Sequence, residues 1–517
     1  MAQQYGESDP LMPTYRGTQN LKSTKSTCSK IGVGVAIVSI ICVAVLIIVL
    51  TVHFWNYDVH VQYRFKHAAV AADAGPCSNI GSGMLLKGGS AVDAAIASLL
   101  CVNLHNPHSA GIGGGNFFMY YDVGTTTMFY YDAREVAPLG ASEDMYNDDH
   151  DASVKGGLAV AVPGEIRGFW QAHQAHGKLD WGELFQPTIA LARDGFKISK
   201  ALAKAISDNE EDIRNETSLS AIFFNSKGEP LKAGAKMYRP QLAETLQKIA
   251  DNGSSIFYEG SLAQDIVNEV KENGGIITAE DLQSYTVKPK DTIVVPLAGL
   301  NFHLPPAPSG GPALALILNI LEGYDIRRTD ITNNQAAISL YHHIVESFKF
   351  AYAARSFIGD PDFVDVEEQV ANMTSKDYAA ELRSMIEDCC THEVYYYYQV
   401  NPEAYIIDDH GTSHISIVDQ DGNAASVTSS VNEAFGAMFR GSGTGIIYNN
   451  GMDDFSMPFD KNEFNIPPPP ENFIAPGKRA LSSMVPVIAV DDSGVVQLVA
   501  GGSGGKKITT GVAQVCL

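Results

Sequence analysis

Asp408-Asp409-His410-Gly411-Thr412-Ser413-His414-Ile415-Ser416-Ile417-Val418 is the stretch that decides how this chain folds. After about residue 405 the hydrophobic period becomes two, the repeat of a strand whose faces alternate. His414 to Asp419 and Ala425 to Thr428 flank Asp421-Gly422, a dipeptide suited to a tight hairpin turn. Val485 to Val490 and Val495 to Val499 flank Asp491-Asp492-Ser493-Gly494 in the same way. Working outward, the pattern from about 180 to 390 is mainly helical, with Leu314 to Leu321 and Tyr341 to Phe350 as the clearest runs. Ser90 to Leu100 reads as a further helix, with Ser90 as N-cap and Asp93 in the first turn. Asn116 to Tyr121 and Met128 to Tyr131 read as strands, and Val162 to Gly168 as a loop entering a helix. Tyr395 to Tyr398 reads as a packed or linker strand, and Pro467 to Pro470 as a stiff spacer. Helices first and hairpins last predict an α+β protein with sheets held between helical layers.

The chain has 517 residues, enough for a large core. Its 36 Lys and Arg against 59 Asp and Glu leave a net charge of −23, which excludes a nucleic-acid surface. That field does not attract anions from a distance, so any carboxylate must be recognised locally. Residues 1–30 are polar, and Ile31 to Val52 carry no charge. As a helix this run spans roughly 30 Å, the thickness of a bilayer core. Arg16, Lys22, Lys25 and Lys30 precede it, whereas Arg64 and Lys66 are the nearest basic residues after it. The expectation is a cytosolic tail at 1–30, a transmembrane signal anchor at 31–53 and an ectodomain from 54 onward. This is a single-pass type II arrangement at the plasma membrane, with the catalytic domain extracellular. Sequons at Asn215, Asn252 and Asn372 lie on the outer side.

Seven cysteines are present. Cys28 and Cys42 lie at or in the anchor. Cys77 and Cys101 bracket a helix-like stretch, and a bridge of that loop length is worth about 3 kcal/mol. The pairing of Cys389, Cys390 and Cys516 stays open. There is no Cys-x-x-Cys, and His342-His343 and the other histidines lack a metal-like grouping, so no metal is expected.

Thr412 carries the chemistry. A Thr hydroxyl is a poor nucleophile unless a base lies within hydrogen-bond reach. If the Gly411–Thr412 bond is cut, Thr412 gains an α-amine with an ordinary pKa near 7.7–8, and one residue supplies nucleophile and base. Gly411 leaves room for the hydroxyl to reach the preceding carbonyl. Gly-Thr at a strand start is otherwise structural, so the surrounding blocks decide. They are Asn449-Asn450-Gly451-Met452-Asp453-Asp454, Pro476-Gly477-Lys478, Leu481-Ser482-Ser483-Met484 and Gly501-Gly502-Ser503-Gly504-Gly505. Upstream stand Gly88 to Ala95, Gly111 to Gly115, Ala133-Arg134-Glu135-Val136-Ala137-Pro138, Val162-Pro163-Gly164-Glu165 and Leu304 to Pro308. The two glycine runs lack the Gly-Lys-Ser/Thr ending of a phosphate loop.

In this order the blocks resemble the γ-glutamyltranspeptidase (glutathione hydrolase) family, over nearly the whole chain after the anchor. The resemblance implies an N-terminal-nucleophile hydrolase, a four-layer αββα sandwich preceded by one transmembrane helix. It implies self-cleavage at Gly411-Thr412 into a large subunit, 54–411, and a small catalytic subunit, 412–517. These would remain together as a heterodimer. Thr412 would be the nucleophile and Ser430 would support the new N-terminus. Arg134 would clamp the α-carboxylate of the γ-glutamyl group, helped by Ser482 and Ser483. Asn432 and Asp454 would hold the α-ammonium. Backbone N–H groups at Gly504 and Gly505 would form the oxyanion hole. The resemblance also supports the Cys77–Cys101 pair. The implied partners are glutathione, other γ-glutamyl compounds and amino acid or dipeptide acceptors, with no metal or organic cofactor.

Two departures stand out. Family members usually carry Glu or Gln where this chain has Gly451, which is expected to weaken binding of the substrate amino group. Family small subunits also continue for several tens of residues past the point where this sequence stops, at Leu517. One sheet edge and part of the core are therefore expected to lie open. The rival readings are an uncleaved, silent relative acting as a binding or structural protein, and an acylase of the same fold. Arg134 with Asp454 argues against the acylase.

Overall fold

The computed structural model describes residues 65–147, 149–327, 329–393, 396–397, 411–459 and 468–517. In chain order the strands that build the site are β1 (Ala69–Ala72), β2 (Gly115–Asp122), β3 (Thr127–Ala133), β4 (Lys288–Pro289) and β5 (Ile293–Leu297). They continue with β6 (Leu300–Leu304), β7 (Gly411–Val418), β8 (Ala424–Asn432), β9 (Val487–Asp491) and β10 (Val496–Ala500). The principal helices are α1 (Gly75–Leu86), α2 (Ala91–His105), α3 (Glu165–His176), α4 (Trp181–Asp194), α5 (Gly311–Glu322), α6 (Asn334–Arg355) and α7 (Lys507–Cys516). One sheet runs β1-β7-β8-β2-β3-β4 and the other β10-β9-β6-β5, all pairs antiparallel. The expected tail and anchor at 1–53 lie outside the described residues. Among the described residues no helix is long and apolar enough to cross a membrane.

Alternation along the central hairpin sets the layers. Ile415, Ile417, Ala425 and Val427 share a core with Phe118 and Tyr120 of β2 and with α1, α2 and α3. Phe117, Met119 and Tyr121 point the other way and share a core with β9, β6, α5 and α6. The order is therefore helices, sheet, sheet, helices. On the inter-sheet face of β7 and β8 the residues are polar. Thr412 pairs across from Ser430, His414 from Thr428 and Ser416 from Ser426. A hydrophilic seam thus runs between the two sheets and ends at Thr412.

The N-terminal signals of α2 are local and act as read. Ser90 Oγ accepts from the Asp93 N–H, and the Ser90 N–H donates to Asp93 Oδ2 at 2.8 Å, a reciprocal capping box. Cys77 and Cys101 are joined by a disulfide that ties α1 to α2. The region from 180 to 390 is mainly helical, as its pattern predicts, but β5 and β6 form a hairpin within it that the pattern does not show. Its turn, Ala298-Gly299, takes φ of 52° and 79°, and Pro296 is tolerated because β5 is an edge strand with no neighbour on one side. Tyr396 and Tyr397 also depart: they form a helical turn, and buried Tyr397 donates its hydroxyl to Glu346 Oε2 at 2.6 Å. At the opposite edge from β5, β10 pairs with β9 alone and Val495 beside it is half exposed.

Candidate active site

Thr412 is the second residue of β7, 3% exposed. Its Oγ1 lies 3.3 Å from Ser430 Oγ. Ser430 donates its proton to the carbonyl oxygen of Gly411 and accepts from the Asn432 N–H at 2.9 Å. The single Ser430 proton is thereby committed, so Thr412 is the donor in its contact with Ser430. The chain of donors reads Thr412 O–H to Ser430 O–H to Gly411 C=O. It polarises the Gly411 carbonyl and connects the Thr412 hydroxyl proton to that oxygen through Ser430. Asn432 sits at a bulge opposite Gly411, with φ of 74°, a left-handed conformation that a non-glycine residue holds only under constraint. Its Nδ2 donates to the Asn450 carbonyl at 3.0 Å, whereas buried Oδ1 has no hydrogen-bond partner among the described residues. That oxygen is an acceptor awaiting a donor.

The recognition end is built of buried charge. Arg134, at the end of β3, is 2% exposed. It donates to Glu135 at 3.1 Å and pairs directly with Asp454. Asp454 closes a short 3₁₀ turn, Gly451–Asp454, positioned by the two asparagines before it. Asn449 Nδ2 donates to the carbonyls of Gly113 and Ala161, and Asn450 Oδ1 accepts from the Glu433 N–H. Burial raises the Asp454 carboxyl above the usual carboxylate range, with the charges of Arg134 and Arg355 pulling it back. Burial raises Glu135 in the same way. Ser482 and Ser483 are buried in the loop before β9. Ser482 donates its N–H to the Pro308 carbonyl at 2.8 Å, and Ser483 Oγ accepts from Arg355 Nη2 at 3.3 Å. Gly451 is buried between Asn449 and Ala161. A Cβ there would lie 3.0 Å from Asn449 Oδ1, so a Glu at this position would need that amide to shift.

Three residues at this site escaped the sequence reading. Arg355, the last residue of α6, is buried and links Ser483 to Asp454 through its charge. Glu165 opens α3 and accepts from Asn103, Asn116 and Ser429, the last of these beside Ser430; burial pushes its carboxyl up to about 7. His414 is fully enclosed, bonded to Thr428 and Ser416 at 2.9 Å, and burial pushes it down to about 3, so it is neutral at pH 7. Its ring packs so closely under Gly501 that a Cβ there would meet it at 2.2 Å. The only sequence signal for His414 was its alternation with Thr412 and Ser416. The glycine loop continues to Gly504 and Gly505, at φ of 113° and 61°, values that only glycine adopts readily. Of the sequon residues, Asn215 and Asn252 are exposed and Asn372 is half-buried.

Two facing antiparallel sheets between helical layers, with a Thr at the head of a central strand and its own preceding carbonyl polarised, define a hydrolase of the N-terminal-nucleophile class. The Gamma-glutamyltranspeptidase family matches residues 77–517, and the chain belongs to that family. It is 45% identical over 455 residues to glutathione hydrolase 2 of Arabidopsis thaliana, covering 87% of this chain and 77% of that one. It is 44% identical over 451 residues to Scoloptoxin SSD14 of Scolopendra dehaani, covering 87% and 78%. Among solved structures, the γ-glutamyltranspeptidase of Helicobacter pylori superposes with a TM-score of 0.61 at 31% identity, covering 66% of this chain and 97% of that one.

Proposed function

We propose that the chain matures by cutting itself between Gly411 and Thr412 and then transfers the γ-glutamyl group of glutathione and its conjugates to water, an amino acid or a dipeptide. The observation that carries this is the Thr412–Ser430–Gly411 hydrogen-bond chain. In maturation Thr412 Oγ1 attacks the Gly411 carbonyl carbon, and Ser430 gives its proton to the developing oxyanion and takes the threonine's. The C–N bond breaks as the acyl group moves to oxygen, and water releases it. The small subunit then begins with Thr412, whose α-amine takes the hydroxyl proton in each turnover. Attack on the γ-carbonyl forms a γ-glutamyl ester and expels cysteinylglycine from glutathione. Water or an acceptor amine then takes the acyl group.

An α-amino acid end is a zwitterion, and the Arg134–Asp454 pair presents its complement. The carboxylate replaces Asp454 on Arg134, with Ser482 and Ser483 as further donors. The ammonium takes Asp454 and the open Oδ1 of Asn432. Gly504 and Gly505 supply the oxyanion donors. The large subunit, 54–411, and the small subunit, 412–517, stay together because β7 and β8 lie between β1 and β2 in one sheet. The charge-free run at 31–52 and the basic residues before it support a type II plasma-membrane anchor, with the sequons at Asn215, Asn252 and Asn372 outside.

The test is a denaturing gel of the expressed full chain with N-terminal sequencing of the smaller fragment, alongside Thr412→Ala. A fragment beginning Thr412-Ser413-His414 in the parent only, with turnover of a γ-glutamyl anilide, is the expected result. A folded, uncut parent would overturn the reading and leave the silent relative in its place.

A further inference from the structure

Away from the active site, three metal-ligating groups, Glu387, Cys389 and Cys390, lie within 4.8 Å of one another in the loop that follows the helix Lys376–Ser384, and His392 flanks them. Cys389 Sγ lies 3.2 Å from Cys390 Sγ. Glu387 Oε2 lies 3.0 Å from Cys390 Sγ and 3.9 Å from Cys389 Sγ. His392 Nε2 lies 3.8 Å from the other oxygen, Glu387 Oε1. That nitrogen is itself buried, has no hydrogen-bond partner among the described residues, and belongs to a ring stacked on Tyr396 at 3.8 Å. The loop is tethered to α6, since His342 Nε2 meets the Glu387 carbonyl at 2.8 Å and His343 Nε2 meets Asp388 at 2.7 Å.

We propose that Glu387, Cys389, Cys390 and His392 bind one borderline-soft divalent cation of the zinc type. Ligand bonds of about 2.3 Å to sulfur and about 2.0–2.1 Å to nitrogen and oxygen fix the edges of a tetrahedron. Those edges are about 3.8 Å between sulfurs, about 3.6 Å from sulfur to oxygen and about 3.4 Å from nitrogen to oxygen. The separations within the Glu387–Cys389–Cys390 group, 3.2, 3.0 and 3.9 Å, lie within about 0.6 Å of the sulfur edges, and His392 Nε2, 3.8 Å from the other Glu387 oxygen, must turn towards the sulfurs to complete the set. Small side-chain rotations on an exposed loop close the remaining difference. Two thiols, an imidazole and a carboxylate are also the donor set that such a cation prefers over calcium or magnesium. Ordinary ion pairing accounts for the His392–Glu387 contact but not for the two cysteines beside it. The Cys-x-x-Cys rule misses this set because its thiols are adjacent. The grouping of Cys77, Cys101 and His105 carries no such site, since its sulfurs are in a disulfide.

The test uses the full chain, purified with a phosphine reductant and a chelator, then freed of both and its thiols counted. Zn²⁺ is titrated against a chromophoric chelator, and Cd²⁺ is followed by thiolate-to-metal absorption. One cation per chain is expected. Cys389→Ser/Cys390→Ser should abolish it, and Glu387→Gln and His392→Ala should each weaken it at least about tenfold, as loss of one ligand does. Cys516→Ser should leave it intact. Turnover of a γ-glutamyl anilide, independent of this loop, reports that each variant is folded. The proposal fails if the parent with its thiols free binds no cation, or if the double variant still binds one.

Discussion

The two ends of the active site handle polarity in opposite ways. At the Thr412 end the chemistry runs through neutral groups, and the hydroxyls of Thr412 and Ser430 are both engaged. At the other end Arg134, Glu135 and Arg355 are buried beside the mostly covered Asp454, and burial holds both carboxyls above their usual range. The first end is organised by hydrogen-bond direction, so it works at the moment of bond breaking. The second stores electrostatic complementarity, which the proposed function uses to receive a zwitterion. Damage at one end should therefore appear in maturation and kcat, and damage at the other in KM.

Asp454→Asn tests this division most severely. It leaves Arg134 with Glu135 as its anion and removes the charge proposed to face the substrate ammonium, a loss of about 2–5 kcal/mol for a buried charge pair. The expected result is a KM raised by about two to three orders of magnitude, with cleavage at Gly411 intact on a gel. If the variant stays uncut, or matures and keeps the parent KM, the two ends are not separable as described. Ser430→Ala is the converse. Losing one donor to a developing oxyanion costs about 10²–10³ in rate, so the uncut band should persist far longer. The fraction that does mature should keep a near-parent KM.

Arg355 sharpens the comparison. It reaches the recognition end from α6 and should act as a positioning residue through Ser483 and Asp454. Arg355→Gln should raise KM by about 1.5–3 kcal/mol, the range of a charge-assisted hydrogen bond, and Arg355→Lys should recover part of it. Equal loss in both variants with lowered Tm would mean the guanidinium only holds the fold.

How far the sequence was legible follows the same division. The Ser90 cap, the Asp421-Gly422 hairpin and the Thr412 to Val418 alternation depend on residues within a few positions of each other, so they could be read directly. Arg355 stands about one hundred residues before Asp454, at the end of a helix whose local pattern says only that it packs. The β5–β6 hairpin was hidden by Pro296 and by its helical surroundings, because only the sheet makes β5 an edge. Glu165 looked like a helix-entry residue. Its meaning comes from three donors on α2, β2 and β8 that no local pattern connects.

Glu165 also yields the smallest expected effect. Its carboxyl, pushed up to about 7 by burial, binds a proton more tightly in the folded chain than unfolded, where it would titrate near 4.3. The sign follows by linkage. Its favourable contribution is complete below the unfolded value and is lost as pH rises through the folded one. The Tm of the full chain should therefore fall between about pH 4 and pH 7 and level off above that, and Glu165→Gln should flatten that slope. Because Ser429 bonds Glu165 and neighbours Ser430, the same titration should reach maturation. Self-cleavage in the parent should change with pH near 7 more than it does in Glu165→Gln. If the two chains share one pH profile for both Tm and cleavage, the Ser429 bond does not couple this buried carboxyl to the nucleophile's partner.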